Sequence, residues 1–223
     1  MHEYSQKFSN RQIAGLELGT KLKKYGDRPD VVVLGLPRGG VPVAFEIAKA
    51  LKAPLDICLV RKLGVPGHPE LAMGAIAAGG VRILNQDLVN ELAISQPAIH
   101  EVTTREWQEL QRRDRVYRDD RPQPEIQGRT VILVDDGLAT GSTMQAAIAV
   151  VKSEQAAQIV VAVPVAPLEA CNELKLKVDE VVCLLMPKPF YAIGLWYEDF
   201  SQTTDREVKA FLSQQFAASR QPK

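Results

Sequence analysis

The chain has 223 residues, 46% of them hydrophobic, with 27 basic and 27 acidic side chains. That is enough for one substantial core, and no Pro/Gly/Ser-rich linker or low-complexity tract divides it, so a single domain over 1–223 is expected. The balanced charge gives no reason to expect nucleic acid or an anionic membrane as partner. No run approaches 18 apolar residues, and the start Met1-His2-Glu3-Tyr4 lacks a basic region followed by an apolar one; a soluble cytoplasmic protein is expected.

In chain order, Arg11 to Tyr25 has Ile13, Leu16, Leu18 and Leu22 near helical spacing, and Gly26-Asp27 stops it. Val31 to Leu34 reads as a buried strand, Val41 to Leu51 as a helix and Leu55 to Val60 as a second strand, a βαβ unit. Arg61-Lys62 opens a Gly/Pro-rich stretch to Glu70 that reads as a mobile loop. Met73 to Ala78 and Val81 to Leu84, split by Gly79-Gly80, read as a hairpin. Pro97 to Arg118 reads as a charged helix with a ragged apolar stripe (Ile99, Val102, Trp107, Leu110, Tyr117), an arm or a lid within a helical insertion over 85–128. Val131 to Val134 is an apolar run suited to a strand buried on both faces, followed from Thr143 by a helix. Strands at Ile159 to Val163 and Val178 to Leu185 and a helix from Asp205 to Phe216 complete an α/β chain with a mainly parallel central sheet. Cys58, Cys171 and Cys183 have no metal-ligand spacing and read as reduced, packed thiols.

Two strand-to-helix loops carry the chemistry. In the first, Asp135 and Asp136 follow the apolar strand and Ala139-Thr140-Gly141-Ser142-Thr143 precedes the helix. Backbone N–H groups, three hydroxyls and a helix N-terminus there converge on a phosphate, and two carboxylates beside it suit a sugar diol or the waters of a Mg²⁺ ion. Either half alone is what an ordinary strand end and helix cap would show. The second loop, Pro37-Arg38-Gly39-Gly40, offers another anion site, with Arg38 as a fork of donors and glycines allowing conformations other residues resist. The spacing G-x-x-x-x-G-K-[ST] is absent, which disfavours nucleotide triphosphate hydrolysis.

Residues 131–143, Val-Ile-Leu-Val-Asp-Asp-Gly-Leu-Ala-Thr-Gly-Ser-Thr, resemble the signature of the type I phosphoribosyltransferases, which bind phosphoribosyl pyrophosphate (PRPP). The resemblance implies a three-layer α/β/α fold with a C-terminal hood-like segment, here 186–223. It also implies Mg²⁺ as cofactor, PRPP and a small-molecule acceptor as partners, no nucleic acid, and a homo-oligomer, a dimer. It places Asp135 and Asp136 on the ribose diol and metal and residues 139–143 on the 5′-phosphate. Pro37, Arg38, Gly39 and Gly40, in a loop that in this family often contains a cis peptide, fall with Arg61 and Lys62 at the pyrophosphate. Arg61-Lys62-x-Gly is similar to adenine phosphoribosyltransferases, whose flexible loop closes over the reaction centre. Asp135, Asp136, Arg38 and Lys62 are thus the catalytic set.

The segment Pro189 to Phe200 resembles that of hypoxanthine–guanine enzymes, where an aromatic residue three before a glycine stacks on the base and an acid four after it approaches the metal. These are Tyr191 and Glu198 here. Ala139 stands where 6-oxopurine enzymes carry an Asp, which points away from hypoxanthine and guanine. The resemblance implies transfer of the phosphoribosyl group to a nitrogen nucleophile, a purine-like or other aromatic base. A PRPP-sensing regulator is the alternative. A phosphate-ester hydrolase lacks an evident nucleophile or metal cluster, and a binding relic sits poorly with the intact acids. His68 and Glu70 are acid–base candidates or ordinary surface residues.

Overall fold

A computed structural model describes residues 7–118 and 121–219; the start of the chain, with His2, lies outside them. Helix α1 (Arg11–Lys21) begins where Asn10 accepts a hydrogen bond from the Ile13 amide, an N-cap that satisfies an otherwise orphan donor. It runs into a short 3₁₀ turn, Lys23–Tyr25. Strand β1 (Val31–Gly35) leads into helix α2 (Gly40–Leu51) and strand β2 (Leu55–Ile57). The expected strand ends earlier than Val60, because the chain changes sheets at Cys58-Leu59. Cys58 still donates to the Gly35 carbonyl, whereas Leu59 accepts from Ala78.

The stretch from Arg61 is a hairpin rather than a loop. Strand β3 (Val60–Val65) and strand β4 (His68–Ala77) pair antiparallel, and Gly67 takes the positive φ of 80° that the two-residue turn requires. Strand β5 (Arg82–Leu84) pairs with β4 as expected. Helices α3 (Gln86–Glu91) and α4 (Gln96–Arg118) follow, then strand β6 (Thr130–Val134), helix α5 (Ser142–Ser153) and strand β7 (Gln158–Val165). Helix α6 (Leu168–Lys175), strand β8 (Glu180–Leu185), a 3₁₀ turn (Ile193–Trp196) and helix α7 (Asp205–Ser219) complete the chain.

The main sheet is parallel in the order β2-β1-β6-β7-β8. Its inner strands β1, β6 and β7 are buried on both faces, so they read as unbroken apolar runs, and successive side chains go to opposite layers. Val31 and Val33 pack with Leu18 of α1, with Leu22 at its C-cap, and with Val43 and Ile47 of α2. Val32 and Leu34 pack with Met144 and Ile148 of α5 and Cys171 and Leu174 of α6. This is a three-layer α/β/α architecture. A second core joins the β3-β4-β5 sheet to α4 and α7 through Ile99, Val102, Leu110, Tyr117, Val208 and Leu212. Helix α4 is therefore docked against the domain rather than extended as an arm. A third cluster, Phe8, Ala14, Val165, Trp196 and Tyr197, seats the hood-like segment. No described helix is long and apolar enough to cross a membrane, and Cys58, Cys171 and Cys183 are free thiols.

Candidate active site

Strands β1 and β6 are neighbours in register, Gly35 opposite Val134, so their carboxyl ends release both loops side by side. This is where open α/β sheets hold ligands. Leu36 donates to the Val134 carbonyl at 2.8 Å and Gly40 to the Leu36 carbonyl at 3.0 Å, which locks the Pro37–Gly40 loop against the start of α2. The Pro37-Arg38 peptide is cis. Gly39 has an ordinary φ of −62° and Gly40 no positive φ, so unusual conformation is not the reason for the glycines. Space is. A Cβ on Gly39 would lie 1.9 Å from Asp136 Oδ2, and one on Gly40 2.8 Å from the Asp135 Cα.

On the second loop, Gly141 takes a φ of 69° at the N-cap of α5, a conformation that favours glycine. Thr140 and Ser142 hydroxyls lie 3.1 Å apart, and the Ser142 amide donates to the Thr140 hydroxyl at 3.4 Å. Asp135 to Met144 and Ile193 line a pocket of about 200 Å³. Hydroxyls and the positive end of α5 thus share a concavity with both acids.

The two acids differ. Burial, then the neighbouring Asp136, push the Asp135 carboxyl well above the usual carboxylate range. Its Oδ1 accepts from the Asp136 amide at 2.9 Å. Asp136 is instead held by the protein: Arg11 Nε donates to its Oδ2 at 2.8 Å, with the two side chains 11% and 13% exposed. The Arg11 guanidinium also lies 4.0 Å from the Phe200 ring centroid and donates to the Ser201 carbonyl. Tyr197 donates to the Asp136 carbonyl at 2.6 Å. Arg11 and Tyr197 escape motif reading, although one signal was available. A cation in the first turn of α1, with no acid there, opposes the helix dipole and calls for an outside partner.

A larger cleft of about 760 Å³ opens beside both loops, between the β3-β4 hairpin and α4. It includes Pro37, Arg61, Lys62, Glu106, Arg113 and Thr143. Arg61 pairs with Glu106, its Nε at 2.8 Å. Arg38 lies 3.8 Å from Asp205, which also accepts from the Tyr117 hydroxyl at 2.6 Å. The structure therefore gathers Asp135, Asp136, Ala139 to Thr143, Pro37, Arg61 and Lys62 around adjoining pockets, with Gly39 and Gly40 packed against the two acids; Arg38 lines none of these pockets and faces Asp205.

It does not gather the two hood residues. Tyr191 is 72% exposed and outside the pocket lining, where Ile193 stands instead. Glu198 is exposed, and its amide donates to the Phe8 carbonyl. The reason is local: Phe8 pairs with Tyr197 and turns Tyr197, not its neighbour, toward Asp136. His68 begins β4 on the exposed side of the hairpin.

The phosphoribosyl transferase domain family matches residues 9–190. Two Mycobacterium tuberculosis proteins, from strains CDC 1551 and H37Rv and provisionally named phosphoribosyl transferases, are each 48% identical over 205 residues. The match covers 92% of this chain and 46% of theirs, so the chain spans about half their length. The crystal structure of TT1426 from Thermus thermophilus is 43% identical, with a TM-score of 0.86 over 94% of this chain and 99% of that one. AQ2163 from Aquifex aeolicus shares the fold at 12% identity, with a TM-score of 0.50 over 91% of this chain and 85% of that one. With the paired loops, the acids between them and this match over most of its length, the chain belongs to the phosphoribosyl transferase domain family.

Proposed function

We propose that the chain transfers the 5-phosphoribosyl group of PRPP to a nitrogen nucleophile and releases pyrophosphate. The observation that carries this is the juxtaposition of two separate anion loops across one pair of carboxylates. A ligand with a phosphate at each end and a diol between fits it. Thr140 to Thr143 and the α5 N-terminus take the 5′-phosphate. Arg38, Arg61 and Lys62 receive the pyrophosphate as negative charge builds on it. Asp135, whose Oδ1 accepts from the Asp136 amide, faces the diol. Asp136, committed to Arg11, keeps the acidic corner rigid.

The donor set fits Mg²⁺ in the way that ion is usually held beside phosphates, by one or two carboxylates plus substrate oxygens and water. Asp135 would be its principal protein contact, with Asp136 beside it, and when bound the ion would neutralise the leaving group. Positioning and charge complementarity to an oxocarbenium-like transition state do the rest, and no covalent nucleophile is needed.

The acceptor we propose is a purine-like or other aromatic nitrogen base. Ala139 leaves no acid to accept a 6-oxopurine N7 proton, so hypoxanthine and guanine should be poor substrates, by roughly one to two orders of magnitude in rate if an unpaired donor costs about 1–3 kcal/mol. From the hood-like segment, Ile193 rather than Tyr191 lines the pocket. Incubation of PRPP and Mg²⁺ with adenine, hypoxanthine, guanine, xanthine, uracil and orotate, read by mass spectrometry, tests the transfer. A new ribonucleotide with stoichiometric pyrophosphate is expected. PRPP binding without turnover of any base would favour the PRPP-sensing regulator.

A further inference from the structure

Helix α4 carries charge where it should be apolar. Ile99, Val102, Glu106, Leu110, Arg113 and Tyr117 follow one another at three- and four-residue spacing, which places them on one face. Ile99, Val102, Leu110 and Tyr117 of that face are buried in the second core. Glu106 and Arg113 interrupt it, with side chains 14% and 31% exposed. Putting charges on an inward face is costly unless each has a partner. Glu106 has one in Arg61 of β3. Arg113 is held through its Nε alone, by Glu109 at 2.7 Å, and among the described residues nothing takes its two terminal nitrogens. Yet it lines both the large cleft and a smaller pocket formed with Leu36, Pro37 and Thr143, where the two loops meet α4.

The remaining member of the face, Tyr117, donates to Asp205, the carboxylate nearest Arg38. Burial, then that bond, push the Tyr117 phenol up to about 12. The face thus reaches three cations beside the phosphate loops: it ties Arg61, carries Arg113, and through Tyr117 shares the Asp205 carboxylate with Arg38. Each cation keeps one carboxylate, so they can converge without an anion present, while Arg113 retains donors to spare.

We propose that this face of α4 organises the pyrophosphate end of the PRPP site, with Arg113 contacting the pyrophosphate and Glu106 and Tyr117 acting as positioning residues through Arg61 and Arg38. The inference rests on the PRPP reading and gives the 85–128 insertion a role in it.

The test is calorimetry in Mg²⁺ with three probes, PRPP, inorganic pyrophosphate and ribose 5-phosphate, on wild type, Arg113→Gln, Arg113→Lys, Glu106→Gln and Tyr117→Phe. The last keeps the buried ring and loses only the hydroxyl. Arg113→Gln is expected to weaken PRPP and pyrophosphate by about tenfold or more, as for loss of a charge-assisted hydrogen bond, and to leave ribose 5-phosphate within about twofold. Arg113→Lys should recover part of the loss, and the two positioning variants should show smaller losses with the same ligand selectivity. Unchanged pyrophosphate and PRPP affinity in Arg113→Gln, or equal losses for all three probes, overturns the role of α4. A wild type that binds neither PRPP nor pyrophosphate refutes instead the PRPP reading on which it stands.

Discussion

The two walls of the site are built differently. The carboxyl edge of the parallel sheet offers its proposed anion sites largely on backbone: the N-terminus of α5, a tight loop before α2, and glycines where a methyl group would strike Asp135 or Asp136. The facing wall, β3 and α4, holds its cations in side-chain pairs, Arg61 with Glu106 and Arg113 with Glu109, while Arg38 reaches from the sheet-edge loop toward Asp205 of α7. Backbone sites are fixed by the fold and tolerate little change. Ion pairs can exchange a carboxylate for a phosphate and back, which suits a group that must bind and then leave. The sheet edge should therefore be sensitive to shape and the α4 wall to ionic strength.

The largest effect is expected at Arg11→Ala, which leaves Asp136 mostly buried and unpaired beside the loops. A loss of about 3 kcal/mol in stability is expected from breaking such a pair, read by urea denaturation. Adding Asp136→Asn should restore part of it, and additive losses would show that the two residues are not coupled. Next is Gly39→Ala, whose new methyl has to displace the Asp136 carboxylate. Phosphoribosyl transfer should fall by about 100-fold, the scale of a 1 Å misplacement in a reacting geometry. Retention of full activity would show that the two loops are not tightly fitted.

Asp135→Asn should separate stability from function. Burial raises this carboxyl in the folded state, so the acid's folded-state advantage belongs to its protonated form and is lost as pH rises through the raised value. The variant, which keeps an oxygen for the Asp136 amide, should lose Mg-dependent PRPP binding and melt about 2–4 °C higher than wild type on the alkaline side. That gap should close in acid. A gap independent of pH would contradict the assignment. The smallest effect is expected at the cleft rim: Arg105 is 67% exposed and shares Glu106 with Arg61. Arg105→Ala should change stability by less than about 1 kcal/mol. A larger change would mean that the rim, not the inner face of α4, holds the wall together.

These contrasts follow what could be read from residues alone. The parallel sheet and both loops were legible because continuous apolar runs, paired acids and Gly/Thr/Ser turns are local signals. The Gly79-Gly80 hairpin and the last helix lie where those signals put them, and so does the βαβ unit except that its second strand stops at Ile57, although α3 was not read separately within the insertion and α6 was passed over. The β3-β4 hairpin read as a loop because Gly64, Pro66, Gly67 and Pro69 are loop residues by composition, and only pairing across the turn shows otherwise. The α4 stripe looked ragged because Glu106 and Arg113 stand in it, and their reason lies in residues distant in sequence. In the hood, an alignment by glycine spacing selected Tyr191 and Glu198, whereas the pairing of Phe8 with Tyr197 decides which side chain reaches Asp136.

The most direct test of the central claim, that two loops read two different phosphates of one ligand, compares Arg38→Ala with Thr140→Val against pyrophosphate and a nucleoside 5′-monophosphate. Arg38→Ala should impair pyrophosphate use in the reverse reaction and spare the monophosphate, and Thr140→Val should do the opposite, each by about tenfold. Parallel losses for both ligands in both variants would contradict the division of labour and the account built on it.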